Sequence, residues 1–372
     1  MSKKKSNSGG SVNSVRRELE RLDRDLVRIL SDRARATQKL GRLQQSNGQP
    51  LVDLLAEQET LERVSDANKG PLSPEALATI FRDILGIARA LVKPLRIGYL
   101  GPKYSYSHIA AIQKFGDTPD LTPLSTIKAV FESLHFGQID YGIVPLENST
   151  DGRVVDTLDM FARLPTPVTG EVQVRIHHNL LGKCARSEVT EVYSKPQALS
   201  QCRDWLAKNL PGAKTIEMTS TAIAAQIAAD KPGAAAVASI EAGMHYGLNV
   251  IDANIEDNKN NVTRFAVIGG TPTKRSGRDK TALMFEIPHK PGALADSMLV
   301  FKRGRLNLTW IESFPMPGSR NEYLFFVEFE GHRDDGRAKR ALQALSRKTA
   351  RLEVLGSYAR SAPLESAASN SK

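Results

Sequence analysis

In NNVTRFAVIGG, residues 260–270, a hydroxyl and a guanidinium stand directly ahead of a short apolar run. The run Phe265–Ile268 lies between Asn260-Asn261 and a pair of glycines, the pattern of a buried strand entered from a polar loop. The plain reading of Thr263 and Arg264 is a polar strand start. The open question is why a hydroxyl and a guanidinium stand at the mouth of a core strand. Two further stretches bring similar groups to strand ends. LRIGYLG runs into PKYSYSHIAAIQKF with Ser105 and Ser107, and YGIVPLEN runs into STDGRVVDTLDMF with Asn148, Ser149 and Thr150. Hydroxyls and backbone N–H groups at helix starts suit carboxylates. His177-His178 invites a metal reading, but neighbours in a strand point to opposite faces and cannot chelate one ion together, so both are expected to be structural.

These residues need elements to hold them, and the 372-residue chain divides into blocks. Residues 1–10, basic and then polar with no apolar core, are expected to be a disordered tail rather than an export signal, and residues 361–372 likewise. Residues 11–93 are expected to be helical. Val12, Val15, Leu19, Leu22, Leu26, Ile29, Arg33, Ala36, Leu40 and Leu43 recur at alternating steps of three and four, a heptad seam about 50 Å long. A helix that long needs a partner, most simply a second copy of the chain. Helices over about 52–67 and 74–92 follow. Arg33 interrupts the seam, which leaves an ion pair to Glu57 or Asp53 and an anion pocket as the two readings.

Residues 95–270 alternate short apolar strands with helices, an α/β pattern whose strand-end loops carry ligands. In VYSKPQALSQCRDWL, Ser194 and Gln197 are spaced as a capping box with Pro196 in the first turn. Residues 279–360 read as strand, helix, strand, strand, helix, strand, a ferredoxin-like order with no cluster that looks catalytic.

The net charge is +10, but the basic residues are interleaved with acids and show no stacking aromatics, so no nucleic-acid partner is expected. No run approaches a membrane span, so no membrane partner is expected either. Two cysteines, Cys184 and Cys202, and no export signal point to a reducing cytoplasm without a disulfide. The sequons at Asn148 and Asn261 are then chance matches.

LGPKYSYSHIAA, VPLENSTDG, GEVQVRIHHNLLG, VYSKPQALSQCRDWL, SIEAGMHYGL and NVTRF, in that order, resemble prephenate dehydratases. With VRRELERLDRDLVRILSDR ahead of them and PHKPGAL and WIESFP behind, nearly the whole chain resembles the bifunctional P-proteins of phenylalanine biosynthesis. That resemblance implies three domains: an all-α chorismate-mutase-like domain, a two-lobed α/β dehydratase domain with the outline of a periplasmic solute-binding protein, and a ferredoxin-like α+β ACT domain. It implies no metal or other cofactor, prephenate as substrate with chorismate as a second one, and a homodimer or tetramer. Thr263 is then the catalytic residue, hydrogen-bonded to the hydroxyl that leaves. Ser105, Ser107, Asn148, Ser149 and Thr150 would hold carboxylates, and Arg264 is kept as a substrate-binding candidate although an extended strand turns it away from Thr263.

In the helical block the resemblance places Arg16, Arg33, Asp53 and Glu57 in a mutase-like site. Gln44, Ala56, Ala88 and Val92 replace donors or polar groups of the family pattern, so little mutase activity is expected and a dimer scaffold is favoured. Arg42, Arg89 and Lys93 lie one or two residues from these gaps, and a register slip in two helices at once would restore a working site. In the third block Gly292, Ala293, Leu294, Glu312 and Ser313 match the phenylalanine-binding pattern, with Phe314 in place of the family arginine. Feedback regulation by L-phenylalanine is the implied role. The competing reading is an amino-acid-sensing binding protein without catalysis, against which the full Thr263 motif stands.

Overall fold

The computed structural model describes residues 12–315 and 323–364, in two units, one of residues up to Asp53 with Glu57–Pro94 and one of Leu54–Ala56 with the residues from Leu95 on. Both termini beyond these bounds, including the expected tail at 1–10, lie outside the described residues. The helical unit comprises α1 (Val12–Ser46), α2 (Leu54–Ala67) and α3 (Pro74–Ala90). α3 starts as its sequence dictates: Ser73 accepts from the Ala76 N–H at 3.1 Å and Pro74 takes the first helical position.

α1 packs on α3, and at Gly41 it meets Val92, two residues beyond the end of α3, so closely that any side chain there would collide. The apolar seam from Val12 to Leu43 otherwise faces solvent, with Leu22, Leu26 and Ile29 about half exposed. The expected partner of Glu57 is corrected here. Its carboxylate takes Nη1 of Arg89 at 2.8 and 2.6 Å, not Arg33, and Arg89 is buried. Among the described residues Arg33 makes no ion pair, because the Glu57 charge is already neutralised from α3.

The second unit holds three sheets. The first is built from β1 (Arg96–Leu100), α4 (Tyr106–Phe115), β2 (Asp120–Leu124), α5 (Ile127–His135), β3 (Tyr141–Asn148), β4 (Gly152–Arg153), α6 (Val155–Arg163) and β5 (Val168–Arg175). The chain then crosses into a second sheet of β6 (Asn179–Gly182), β7 (Glu191–Ser194), α7 (Pro196–Gln201), α8 (Arg203–Asn209), β8 (Lys214–Glu217), α9 (Thr221–Asp230), β9 (Ala234–Ala238), α10 (Ile240–His245) and β10 (Asn249–Asp252). It returns with β11 (Val262–Gly269) to the centre of the first sheet, antiparallel to both β3 and β5. The two crossings run side by side: the Ile176 N–H bonds the Asn261 carbonyl at 2.8 Å and the Ile255 N–H bonds the His178 carbonyl at 2.7 Å. Sheet orders are β16-β5-β11-β3-β1-β2, where β16 is Pro363–Leu364 and β4 lies on β3, and β10-β6-β9-β7-β8.

β16 (Pro363–Leu364) corrects the expectation of a tail from 361 onward. It pairs parallel with β5, and the Ser361 N–H reaches the Glu171 carboxylate at 2.9 Å. Residues 365–372 lie outside the described residues.

The third sheet, β13-β14-β12-β15, is antiparallel and comes from β12 (Asp279–Glu286), α11 (Ala293–Gly304), β13 (Leu308–Pro315), β14 (Tyr323–Glu330), α12 (Gly336–Ser346) and β15 (Arg351–Ala359). Strand alternation splits its side chains cleanly. Leu283, Phe285, Val327 and Phe329 pack with Val300 and Phe301 of α11, whereas Ala282, Met284, Phe326 and Tyr358 join Val144 and Ile268 of the first sheet and Phe131 of α5 and Phe161 of α6 in one core. Gly356 permits that approach, because a Cβ there would overlap the Val168 carbonyl of β5. Among the described residues no helix is long and apolar enough to cross a membrane.

Candidate active site

Thr263 lies second in β11, directly opposite Asn148, the last residue of β3. The Asn148 amide has one possible orientation, because its Oδ1 accepts from the N–H groups of Thr150 and Asp151 at 2.9 and 3.1 Å. Its NH2 group therefore donates twice, to Asn261 Oδ1 at 2.9 Å and to Thr263 Oγ1 at 2.8 Å. Thr263 is an acceptor in this pair, and among the described residues nothing takes its own proton. Its O–H is free to donate to a bound molecule.

The network continues into the second sheet. Asn261 Nδ2 donates to Gln201 Oε1 at 2.8 Å, and the same oxygen receives His178 Nε2 at 2.8 Å. Gln201 Nε2 then donates to Asp151 at 2.6 Å, joined there by the Gln197 amide. This fixes His178 as the Nε2–H tautomer. Burial pushes its pKa below the ordinary value, so it stays neutral and aligns Gln201 rather than carrying a proton. His177 instead bonds Glu256 Oε1 through Nδ1 at 2.9 Å, while its carbonyl receives the Tyr106 hydroxyl at 2.6 Å. The two histidines lie in the crossing between β5 and β6 and engage separate partners. Among the described residues no group of three or more His, Cys, Asp or Glu is placed to hold a metal ion.

Several expected ligand groups are occupied otherwise. The Ser149 hydroxyl donates to the Asn260 carbonyl at 3.1 Å and accepts from the Val262 N–H at 2.9 Å, pinning the turn to β11 instead of waiting for a carboxylate. Ser105 caps α4, accepting from His108 N–H and donating to the Leu100 carbonyl at 3.1 Å. Ser107 is buried inside that helix. Thr150 is exposed and enters the turn through its N–H.

Arg264, expected as a substrate ligand, is engaged otherwise. Strand alternation turns it away from Thr263 into a cluster with Glu147 at 3.3 Å, Glu171 at 3.5 Å and Glu328, while its guanidinium lies 5.1 Å over the Trp310 ring. Lys280 adds a second cation, 3.2 Å from Glu171. Three carboxylates thus face two cations. Burial first, opposed by Arg264 and assisted by Glu328 and Glu312, pushes the Glu147 pKa up.

Sequence reasoning passed over Gln201 and Asp151, read Gln197 as part of a capping box and took Asn261 for a chance sequon. The capping box assigned to Ser194 and Gln197 does not form: Lys195 is the N-cap, Ser194 donates to the Val237 carbonyl at 2.6 Å, and Gln197 turns to Asp151. The signal for Asn261 was present, since both chance sequon asparagines prove to be the buried pair that flanks Thr263.

In the third sheet Gly292 caps α11 at φ 80°, a left-handed conformation that glycine adopts without strain. Ala293 is buried and Leu294 exposed. Glu312 and Ser313, expected to act together, lie on opposite faces of β13. Ser313 opposes Phe325 on the helix side, and Glu312 opposes Phe326 on the side of the first sheet.

The entrance to α4 gives the site a pH dependence. His108 is buried beneath Tyr99 and Tyr104, and its Nδ1 accepts the Tyr104 N–H at 3.2 Å. Burial, reinforced by Lys103, lowers its pKa from 6.5 to about 4. Unfolding therefore takes up a proton between these values. The stability contribution is full above pH 6.5 and falls by about 3 kcal/mol as pH drops toward 4. Urea titrations at pH 7 and 4.5 should show this loss in the wild type and a smaller one in His108→Gln, which keeps an acceptor for Tyr104. Equal losses in both would rule it out.

Two family models match the chain: one described as prephenate dehydratase over residues 97–273 and one described as chorismate mutase type II over residues 15–93. A bifunctional chorismate mutase/prephenate dehydratase of Aquifex aeolicus (strain VF5) is 40% identical over 352 residues, 93% of this chain and 97% of that protein. Among solved structures, prephenate dehydratase from Arthrobacter aurescens in complex with L-Phe is 32% identical with a TM-score of 0.67, over 72% of this chain and 90% of that one. A quorum quenching acylase is 28% identical with a TM-score of 0.65, over 71% and 98%. The fold thus carries more than one named activity, and the reaction must be argued from the site. Sequence identity over nearly its full length, together with both family models in the same order, makes this chain a member of the bifunctional chorismate mutase/prephenate dehydratase family.

Proposed function

We propose that the chain converts prephenate to phenylpyruvate at Thr263 and that its helical unit is a dimer scaffold with little or no mutase activity. The single observation that carries the first part is the unused Thr263 proton beside Asn148. As the ring of prephenate becomes aromatic, the electron pair of the bond to its departing carboxylate moves into the ring. CO2 leaves, and the ring hydroxyl leaves with a proton as water. An Asn148 N–H bonded to Thr263 Oγ1 polarises the hydroxyl and aims its hydrogen, so donation to the leaving oxygen strengthens as charge develops. Supply of the proton itself falls to water or a relay, since threonine is too weak an acid.

The mutase reading is argued from α2 and α3. With Glu57 neutralised by Arg89, and Ala88 and Val92 apolar, the helical unit has lost donors that would stabilise charge separation in chorismate. Arg16, Arg33 and Asp53 remain as candidate carboxylate and positioning groups. The exposed seam of α1 fits a second copy of the chain.

The third sheet is read as an ACT-type regulatory unit. The L-Phe complex of the Arthrobacter aurescens protein supports phenylalanine as its effector. Gly292, Ala293, Leu294 and Ser313 are the contacts proposed, Glu312 lying on the other face of β13. Supplying purified enzyme with chorismate alone and prephenate alone, and assaying phenylpyruvate, tests the whole reading. Product from prephenate only is expected. Product from both would restore the mutase, and product from neither, with folded protein, would favour the sensor.

A further inference from the structure

We propose that Arg153 is a positioning residue through which β13 holds the catalytic turn, and that an amino acid bound on the Ser313 face of β13 acts on the dehydratase site through it. The proposal rests on the regulatory reading of the third sheet and adds the route.

β13 is an edge strand, hydrogen-bonded to β14 alone among the described strands, so it shifts with less cost than the central strands. Its two faces serve different neighbours. Thr309, Ile311 and Ser313 are exposed on one, whereas Trp310, Glu312 and Phe314 point to the first sheet on the other. Glu312 Oε2 meets Nη1 of Arg153 at 2.7 Å. Among the described residues neither has another ion-pair partner, and with 42% and 23% of the two side chains exposed the pair is separable.

Arg153 is not a remote surface residue. It belongs to β4, which pairs back on β3 with Arg153 opposite Glu147 and Gly152 opposite Asn148. The three residues enclosed, Ser149 to Asp151, form the turn whose N–H groups fix the Asn148 amide and whose Asp151 carboxylate receives Gln201 and Gln197. Two residues from Glu312, Trp310 lies under Arg264, the residue after Thr263. One face of β13 thus touches β4, which closes the turn after Asn148, and Arg264 of β11, the strand that carries Thr263. A ligand that draws the Ser313 face toward the start of α11 moves Glu312 with it, and Arg153 transmits that movement to the turn.

The test uses the full chain and Arg153→Met. Prephenate turnover is followed while L-phenylalanine is titrated, and L-phenylalanine binding is followed separately by thermal shift. Expected is a variant that binds L-phenylalanine normally yet, relative to its own uninhibited rate of prephenate turnover, needs at least about fivefold more of it for half-inhibition or is inhibited less at saturation. Arg153→Lys should recover part of the coupling. Inhibition of Arg153→Met equal to wild type overturns the route alone. Loss of both binding and inhibition in the variant also overturns it, since Arg153 would then belong to the ligand site. A wild type that L-phenylalanine neither stabilises nor inhibits overturns the regulatory reading and the route together.

Discussion

Thr263→Val is expected to lower the dehydratase kcat by about 10²–10³-fold with KM little changed, as removal of one preorganised donor does elsewhere. Valine keeps the shape of threonine at its place in β11, so packing and the ladder to Asn148 survive. What disappears is the hydroxyl that accepts from Asn148 Nδ2 and donates outward. The orphaned Asn148 N–H retains its amide's other bond to Asn261, so a modest stability loss is expected, roughly 1–3 kcal/mol at most. Thr263→Ser separates chemistry from packing, because it restores the donor without the methyl group and should recover much of kcat. If Thr263→Val retained near-wild-type kcat while folded, the leaving hydroxyl would have to find its donor elsewhere, and the assignment would fail. A rise in KM alone would instead make Thr263 a ground-state binding group.

The strand that carries Thr263 was legible in the sequence because its neighbourhood is local, a polar dipeptide, a core strand and a turn signal within eleven residues, whereas the role given to Thr263 came from the resemblance of the NVTRF motif to the prephenate dehydratases. The order of strands and helices was legible for the same reason, since period and punctuation act over short windows. What could not be read is everything that depends on which distant residues meet. Gln201 is 62 positions from Thr263 along the chain, yet it joins Asn261 and Asp151 in one network. The capping box failed for a related reason: Ser194 and Gln197 have the right spacing, but a carbonyl of β9 and the Asp151 carboxylate compete for them. Ser149 looked like a ligand by type and is a clamp by position. The pairing of Glu57 with Arg89 rather than Arg33 is set by the packing of α3, which no periodicity in α1 announces.

Arg264→Leu should show how far a residue's burden differs from its neighbour's. The prediction is a folded state destabilised by about 3 kcal/mol, the low end of what breaking a buried ion pair from one side costs. The reasoning begins with burial. Glu171 and Glu328 have side chains 1% exposed, and Arg264, itself 9% exposed, touches both. Leucine would leave Glu328 with the Tyr358 hydroxyl at 2.8 Å and Lys280 at 3.9 Å, and Glu171 with Lys280 at 3.2 Å, so the loss is softened and not abolished. Trp310 would lose the cation above its ring. Removing a carboxylate as well should give some of this back: Arg264→Leu with Glu328→Gln is expected to be more stable than Arg264→Leu alone, because the charge left without its partner is what costs most. Urea unfolding of the two variants and the wild type at pH 7 decides this. If the double variant were the weaker by the full sum of its parts, Arg264 and Glu328 would act independently, and the cluster would not be the joint that fixes β11 to the third sheet. If Arg264→Leu kept wild-type stability but lost turnover, the guanidinium would belong to the substrate after all.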